Sequence, residues 1–150
     1  MPVRLATTAH EIRACHAVMM QLRPAFGENE LVTQVLRQIE AGYHLAYLTD
    51  DDDTVVAVAG YRISENLAWG KNLYVDDLVT DAVRRSAGHG QAMMDWLVQT
   101  ARDAGCRELH LDSGVQRFAA HRFYLRYGMD INSHHFVMKL GGADRDQENP

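Results

Sequence analysis

The spacing of apolar residues changes at Tyr43, and that change divides the chain into two kinds of structure. Before it, Ile12, Cys15, Met19 and Leu22 form one stripe at helical spacing, and Leu31, Val32, Val35, Leu36 and Ile39 form a second. Thr8-Ala9-His10-Glu11 has the capping-box form, in which hydroxyl and carboxylate each satisfy an orphan backbone N–H, so the first helix starts there. Pro24 and Gly27 end it, and Gly42 stops the second. Val3 to Ala6 is a short strand ahead of both. From Tyr43 onward, Tyr43 to Thr49 and Thr54 to Ile63 are rich in β-branched and aromatic residues, which predicts a hairpin turning at Asp50-Asp51-Asp52-Asp53. Four carboxylates in a row could recruit a cation, but a solvated turn is the plainer reading.

Glu65-Asn66 and Gly70 mark a further turn, and Leu73 to Thr80 is the next strand. It carries Asp76 and Asp77 in its middle, where a core strand should be apolar. After Gly90 a long helix presents Met93, Met94, Leu97, Val98, Ala101 and Ala104 on one face and Gln91, Asp95, Gln99 and Asp103 on the other. A Met-rich stripe of this kind is core. Gly105 stops the helix, Cys106 to Asp112 is a strand, Arg117 to Tyr127 a helix ended by Gly128, and His134 to Leu140 the last strand. The order β-α-α-β-β-β-α-β-α-β is mixed α/β, with one domain over residues 1–140 and a frayed tail at 141–150.

Composition narrows the function classes. A chain of 150 residues, 47% hydrophobic and 23% charged, can bury a core without a metal or disulfide staple. Cys15 and Cys106 form no CxxC or CxxH pair, which points to a reducing compartment and away from structural zinc. The longest apolar run, Val55 to Tyr61, is far short of the roughly 18 residues of a membrane span, and the first residues are no signal peptide. A soluble, cytoplasmic protein is expected. The formal charge of −5 opposes a nucleic-acid surface.

The chemically loudest segment is Thr80 to Gly90, between a strand and a helix. Glycines admit close backbone approach, and the first N–H groups of a helix lack internal partners, so an anion such as a phosphate gains hydrogen bonds and dipole energy there. Spacing separates the phosphate-binding patterns. No Lys follows Gly90, which excludes a P-loop, and Met93 stands where GxGxxG needs its third glycine. Arg85-Ser86-Ala87-Gly88-His89-Gly90, an Arg-x-x-Gly-x-Gly, remains.

The strand Leu73 to Thr80, this loop, and the later Ala120-His121-Arg122-Phe123-Tyr124-Leu125-Arg126-Tyr127-Gly128-Met129 together resemble the GNAT superfamily of N-acetyltransferases, and the element order agrees over nearly the whole chain. Gly114-Val115-Gln116-Arg117 with Ala120 to Arg126 is similar to bacterial aminoalkylphosphonate N-acetyltransferases. The resemblance implies a GNAT-like acyl-CoA N-acyltransferase fold, a mixed central sheet with a splayed strand pair flanked by helices. It implies acetyl-CoA as cosubstrate, its pyrophosphate held by Arg85, Ser86, Ala87, Gly88, His89 and Gly90, with Arg84 or Arg85 adding positive charge. Leu78, Val79 and Thr80 would splay from Leu109-His110-Leu111 and pair with the pantetheine arm as an extra strand would. An amine then attacks the acetyl carbonyl, and backbone N–H groups stabilise the oxyanion.

Tyr124 occupies the position from which family members protonate the departing thiolate; the alternative is a core tyrosine beside Phe123. With a phenol pKa of about 10 against about 8.5 for a thiol, positioning matters more than acidity. For the base, Asp77 matches a carboxylate position in the similar family and Asp76 has equal chemistry; a water chain is a third route. Adjacent residues on a strand point to opposite faces, so at most one of the two aspartates faces the acceptor cleft. His110 and His121 lie near the cleft, but a hydrogen-bonded structural histidine is the plainer reading of each. His134 and His135, alternating on a strand, cannot both ligate one metal, and no metal site is expected. Many superfamily members carry Asn seven residues before the tyrosine; this chain has Arg117, which with Arg62 and Arg23 could instead meet an anionic part of the acceptor.

The expected activity is acetyl transfer from acetyl-CoA to a primary amine of a small molecule. A non-catalytic CoA-binding regulatory domain and a protein or peptide N-acetyltransferase are the competing readings. The resemblance is compatible with a homodimer.

Overall fold

The computed structural model describes residues 2–85 and 87–141. The predicted tail therefore lies, apart from Gly141, outside the described residues, as does Ser86. A five-stranded sheet runs in the order β1(Val3–Ala6), β2(Tyr43–Thr49), β3(Val55–Asn66), β4(Gly70–Thr80), β5(Glu108–Leu111). The first four strands are antiparallel neighbours and β5 joins β4 in parallel, so the sheet is mixed.

Helices cover both faces. Thr8 caps α1(Ala9–Ala14) with the capping box its sequence predicts. The first apolar stripe does not make one continuous helix: the chain breaks at Cys15 and resumes as α2(His16–Met19), yet the stripe still buries Ile12, Cys15, Met19 and Leu22. These side chains and those of α3(Glu28–Glu40) pack on Tyr43, Leu45 and Tyr47 of β2. On the other face, Met93, Met94 and Leu97 of α4(His89–Asp103) and Tyr124 of α5(Phe118–Tyr127) share a core with Ala46, Leu48, Leu73 and Val75. The odd and even positions of β2 thus serve opposite cores, as strand alternation requires. Burying each of these larger side chains contributes about 1.5–3 kcal/mol. Among the described residues no helix is long and apolar enough to cross a membrane.

Several boundaries differ from the sequence expectation: β3 continues past Ile63 to Asn66, so Glu65 and Asn66 pair with β4 instead of forming the turn. Strand β4 begins at Gly70 rather than Leu73, and β5 is confined to Glu108–Leu111 rather than Cys106 to Asp112. The predicted last strand, His134 to Leu140, joins no ladder, and every residue from 131 to 140 is exposed. Local β-propensity alone cannot form a strand without a neighbouring edge to pair with.

Candidate active site

Two irregularities in β4 build the site. The first is where its pairing with β5 stops. The ladder runs from Asn72↔Glu108 to Val75↔Leu111 and ends, while β4 continues to Thr80 paired only with β3. Beyond Val75 the β5 side of β4, including Leu78, Val79 and Thr80, has lost its strand neighbour.

The second irregularity is a β-bulge. Gly60 pairs with Asp77 and Tyr61 with Val75, leaving Asp76 as an extra residue on β4. A bulge reverses the alternation of the strand beyond it. Leu73 and Val75 join the α4–α5 core; past the bulge Leu78 joins that core and Val79 the opposite one. The expectation that Asp76 and Asp77 face opposite ways is therefore wrong. Both line one cavity of about 380 Å³, with Tyr43, Tyr74, Met19, Arg23 and Phe26 among its other walls.

Each aspartate in that cavity is held by an arginine. Arg62 donates to both oxygens of Asp76, Nε to Oδ2 at 2.9 Å and Nη2 to Oδ1 at 2.8 Å. Arg23 Nε donates to Asp77 Oδ1 at 2.9 Å, and its Nη2 to the Asp76 carbonyl at 2.8 Å. The Tyr43 hydroxyl donates to Asp77 Oδ2 at 2.7 Å. Burial, and then the neighbouring Asp77 charge, hold the Tyr43 phenol well above its ordinary pKa. Tyr74 donates its hydroxyl to Asp112, and burial again raises its pKa. Arg23 and Arg62 are thus occupied by carboxylates of the chain itself. The network around Gly60, Tyr43 and Arg23 was not foreseen; the only sequence signal was a glycine inside the apolar run Val55 to Tyr61.

At the far end of β4 lies the glycine loop. Asp81 caps a short 3-10 turn, Ala82–Arg84, and Gln21 clamps it by accepting from Ala82 N–H at 2.9 Å and donating to Asp81 Oδ1 at 3.2 Å. Arg84 pairs with Asp50 and reaches Asp81 at 3.8 Å, so its charge is matched within the fold. Asp50 also accepts from the N–H groups of Asp52 and Thr54, which makes the acidic run a turn that anchors this loop. Arg85 and Ala87 are exposed. Gly88 caps α4 with φ +83°, a left-handed conformation that favours glycine. The first intrahelical bond runs from Ala92 N–H to Gly88 O, so the N–H groups of His89, Gly90 and Gln91 have no partner within the helix. A Cβ on Gly90 would lie 3.7 Å from both Thr80 Cγ2 and Phe123 Cζ. The end of β4, the start of α4 and the middle of α5 meet at that point.

Tyr124 follows Phe123 on α5, is 8% exposed, and belongs to the same core as Leu78 and Leu111. Burial pushes its pKa up to about 12, against a downward pull from Arg117. The phenol is therefore protonated throughout the neutral range and can donate. His110 hydrogen-bonds with Glu108 at 3.0 Å and stacks on Trp69 at 3.6 Å, and His121 hydrogen-bonds with the Gly114 carbonyl at 2.7 Å, so both have structural partners. Among the described residues no group of three or more His, Cys, Asp or Glu side chains could hold a metal ion.

A strand pair that parts beside a helix N-terminus fits an extended thioester cosubstrate ending in phosphates. The unpaired side of β4 matches an extended arm, and the free N–H groups of α4 match an anion. The model of the acetyltransferase (GNAT) family matches residues 12–129. The uncharacterized N-acetyltransferase YhdJ of Bacillus subtilis (strain 168) is 28% identical over 131 residues, 87% of this chain and 92% of that protein. Among solved structures, AAC(6')-Iy in complex with the bisubstrate analog CoA-S-monomethyl-acetylneamine has a TM-score of 0.80 at 12% identity, over 94% of this chain and 98% of that one. An acetyltransferase from Trypanosoma brucei has a TM-score of 0.76 at 21% identity, over 93% and 99%. Such distant structures bear on the fold alone. With the family model spanning most of its length, the chain belongs to the GNAT acetyltransferase family and is an acyl-CoA-dependent N-acetyltransferase.

Proposed function

We propose that the protein transfers acetyl from acetyl-CoA to the primary amine of a small molecule seated in the Asp76–Asp77 cavity. One observation carries this reading: the cavity is lined by the two β4 residues that follow the last pair with β5. A bound amine would therefore sit beside the opening of the sheet. The volume, about 380 Å³, suits a small molecule, and its walls combine apolar Met19, Phe26, Leu31 and Val35 with two carboxylates. An acceptor with an ammonium group and an apolar body matches that lining.

Acetyl-CoA supplies an activated carbonyl and a thiolate leaving group. The loop residues Arg85, Ser86, Ala87, Gly88, His89 and Gly90 hold its phosphates, and the backbone of Leu78, Val79 and Thr80 holds its arm. Asp77 is the candidate base. Its oxygens each accept one bond, from Arg23 and Tyr43, and a carboxylate has room for further donors. Asp76, gripped through both oxygens by Arg62, is the alternative. Tyr124 donates the proton that the departing thiolate needs, and its high pKa makes that transfer late, when the thiolate is nearly formed.

A bounded cavity that joins apolar walls to two carboxylates supports a small amine as acceptor. The local likeness to aminoalkylphosphonate N-acetyltransferases points the same way. Free Cys15 and Cys106 fit a cytoplasmic setting. Thiol release measured with small primary amines and with N-terminal peptides tests the reading. Turnover of small amines is expected; turnover of peptides alone would move the acceptor to a protein.

A further inference from the structure

Turning an ammonium into an amide removes two protons from its nitrogen. Tyr124 gives one proton to the thiolate, so each turnover must release one proton to water. Asp77 is poorly placed to release it: its side chain is 13% exposed, and both its oxygens accept bonds within the fold. The cavity has another way out.

Tyr74 lines the same cavity as Asp76 and Asp77. Its hydroxyl donates to Asp112 Oδ2, and a phenol oxygen can accept a bond while it donates one. Asp112 directly follows Leu111, the last residue of β5 that pairs with β4, which puts it where the two strands part. Its other oxygen, Oδ1, lies 3.3 Å from His135 Nδ1. Side-chain exposure is 31% at Asp112 and 55% at His135, so the series runs from the cavity wall to the surface. The Arg62 guanidinium, held by Asp76, lies 5.4 Å from the centre of the Tyr74 ring, where its charge favours electron density gathering on the phenol. His110, opposite Tyr74 on β5, is engaged by Glu108 and Trp69 and stands outside the series.

We propose that Tyr74 and Asp112 form a proton relay that carries the first proton of the acceptor ammonium from the cavity to water, with His135 as its outer end. The relay rests on the small-amine reading above, because it needs an ammonium in this cavity. The ammonium N–H bond breaks as a new Tyr74 O–H bond forms, while the original Tyr74 O–H bond breaks as an Asp112 O–H bond forms. The nitrogen keeps its electron pair and attacks the acetyl carbonyl with it. Asp112 then passes the proton to His135 and so to water, and rotation of the Tyr74 hydroxyl restores the pair. The second proton, lost once the C–N bond has formed, goes to Asp77 and equals in number the one that Tyr124 gives the thiolate. Burial raises the Tyr74 pKa, so the two transfers at its oxygen occur together rather than through a free phenolate.

Thiol release from acetyl-CoA with a panel of small primary amines such as hexylamine, in dilute buffer at fixed pH, tests this. Tyr74→Phe and Asp112→Asn should each lower kcat by about tenfold and leave the KM for acetyl-CoA unchanged. Added imidazole at the same pH should restore turnover in Asp112→Asn and leave the wild type unmoved, which loss of a merely structural contact would not produce. The exposed His135→Ala keeps the test open if either inner change disturbs folding: it should slow turnover in dilute buffer and recover with imidazole. Wild-type kcat in Asp112→Asn, or a loss in it that imidazole does not move, overturns the relay while small-amine turnover by the wild type stands. A wild type that turns over no small amine fails the acceptor reading, and the relay with it.

Discussion

The Tyr43 hydroxyl donates to Asp77 Oδ2 over 2.7 Å through the space that Gly60 leaves empty. A Cβ at position 60 would collide with both groups, and Tyr43 is only 3% exposed, so the pair has little room to move. Gly60→Ala should therefore lower stability by about 2–4 kcal/mol, overpacking and a broken buried hydrogen bond acting together. Tyr43→Phe removes only the hydrogen bond and should cost about 1–2 kcal/mol. Urea unfolding of both variants checks the order; equal losses would mean that the space beside Gly60 is not the constraint.

Arg84 and Arg85 are neighbours with different circumstances. Arg84 is matched by Asp50 and Asp81, whereas Arg85 is exposed beside the start of α4. Arg85→Ala should weaken CoA binding several-fold at low salt, an effect that shrinks as salt screens the charge. Arg84→Ala should change CoA affinity less and reduce stability by up to about 1 kcal/mol, in keeping with a half-exposed ion pair. Calorimetric titration with CoA at two ionic strengths separates them.

Tyr124→Phe keeps the ring in its core and removes the proton donor. Turnover should fall by roughly 10²–10⁴-fold, the usual scale for a general acid, with CoA affinity nearly unchanged. Wild-type turnover in this variant would return Tyr124 to the role of a core residue.

Burial raises the Cys15 thiol from 9.0 and the Tyr124 phenol from 10.0, each to about 12. In the unfolded chain both ionise earlier, so between the ordinary and raised values the unfolded state binds fewer protons. Stability is then complete below about pH 9 and is lost as pH rises towards about 12, with a slope of about 1.4 kcal/mol per pH unit for each group. Urea midpoints measured from pH 8 upward should fall, and fall less steeply in Tyr124→Phe. A flat profile would contradict the burial of both groups.

Much of this was legible from local chemistry. The capping box at Thr8–Glu11, the stripe of α3 and the glycine start of α4 each follow from residues close together in the chain. The bulge at Asp76 does not, because an extra residue in a strand is set by the register with β3 rather than by its own sequence. That one residue turns both aspartates into the same cavity. The arginine partners were hidden for a similar reason: Arg23 reaches Asp77 across 54 positions, and Arg62 reaches Asp76 across a hairpin. The last strand failed because β-propensity in His134 to Leu140 says nothing about which edge it will meet.

In the proposed reaction, an amine held beside Asp76 and Asp77 receives an acetyl group at the parting of β4 and β5. Amine-dependent release of CoA thiol from acetyl-CoA, compared between the wild type and Asp77→Asn, tests it most directly. Release should require both substrates and fall at least tenfold in the variant, with CoA affinity preserved. Release from no amine, while CoA still raises the melting temperature of the wild type, would contradict it and leave a protein that binds the cosubstrate without using it.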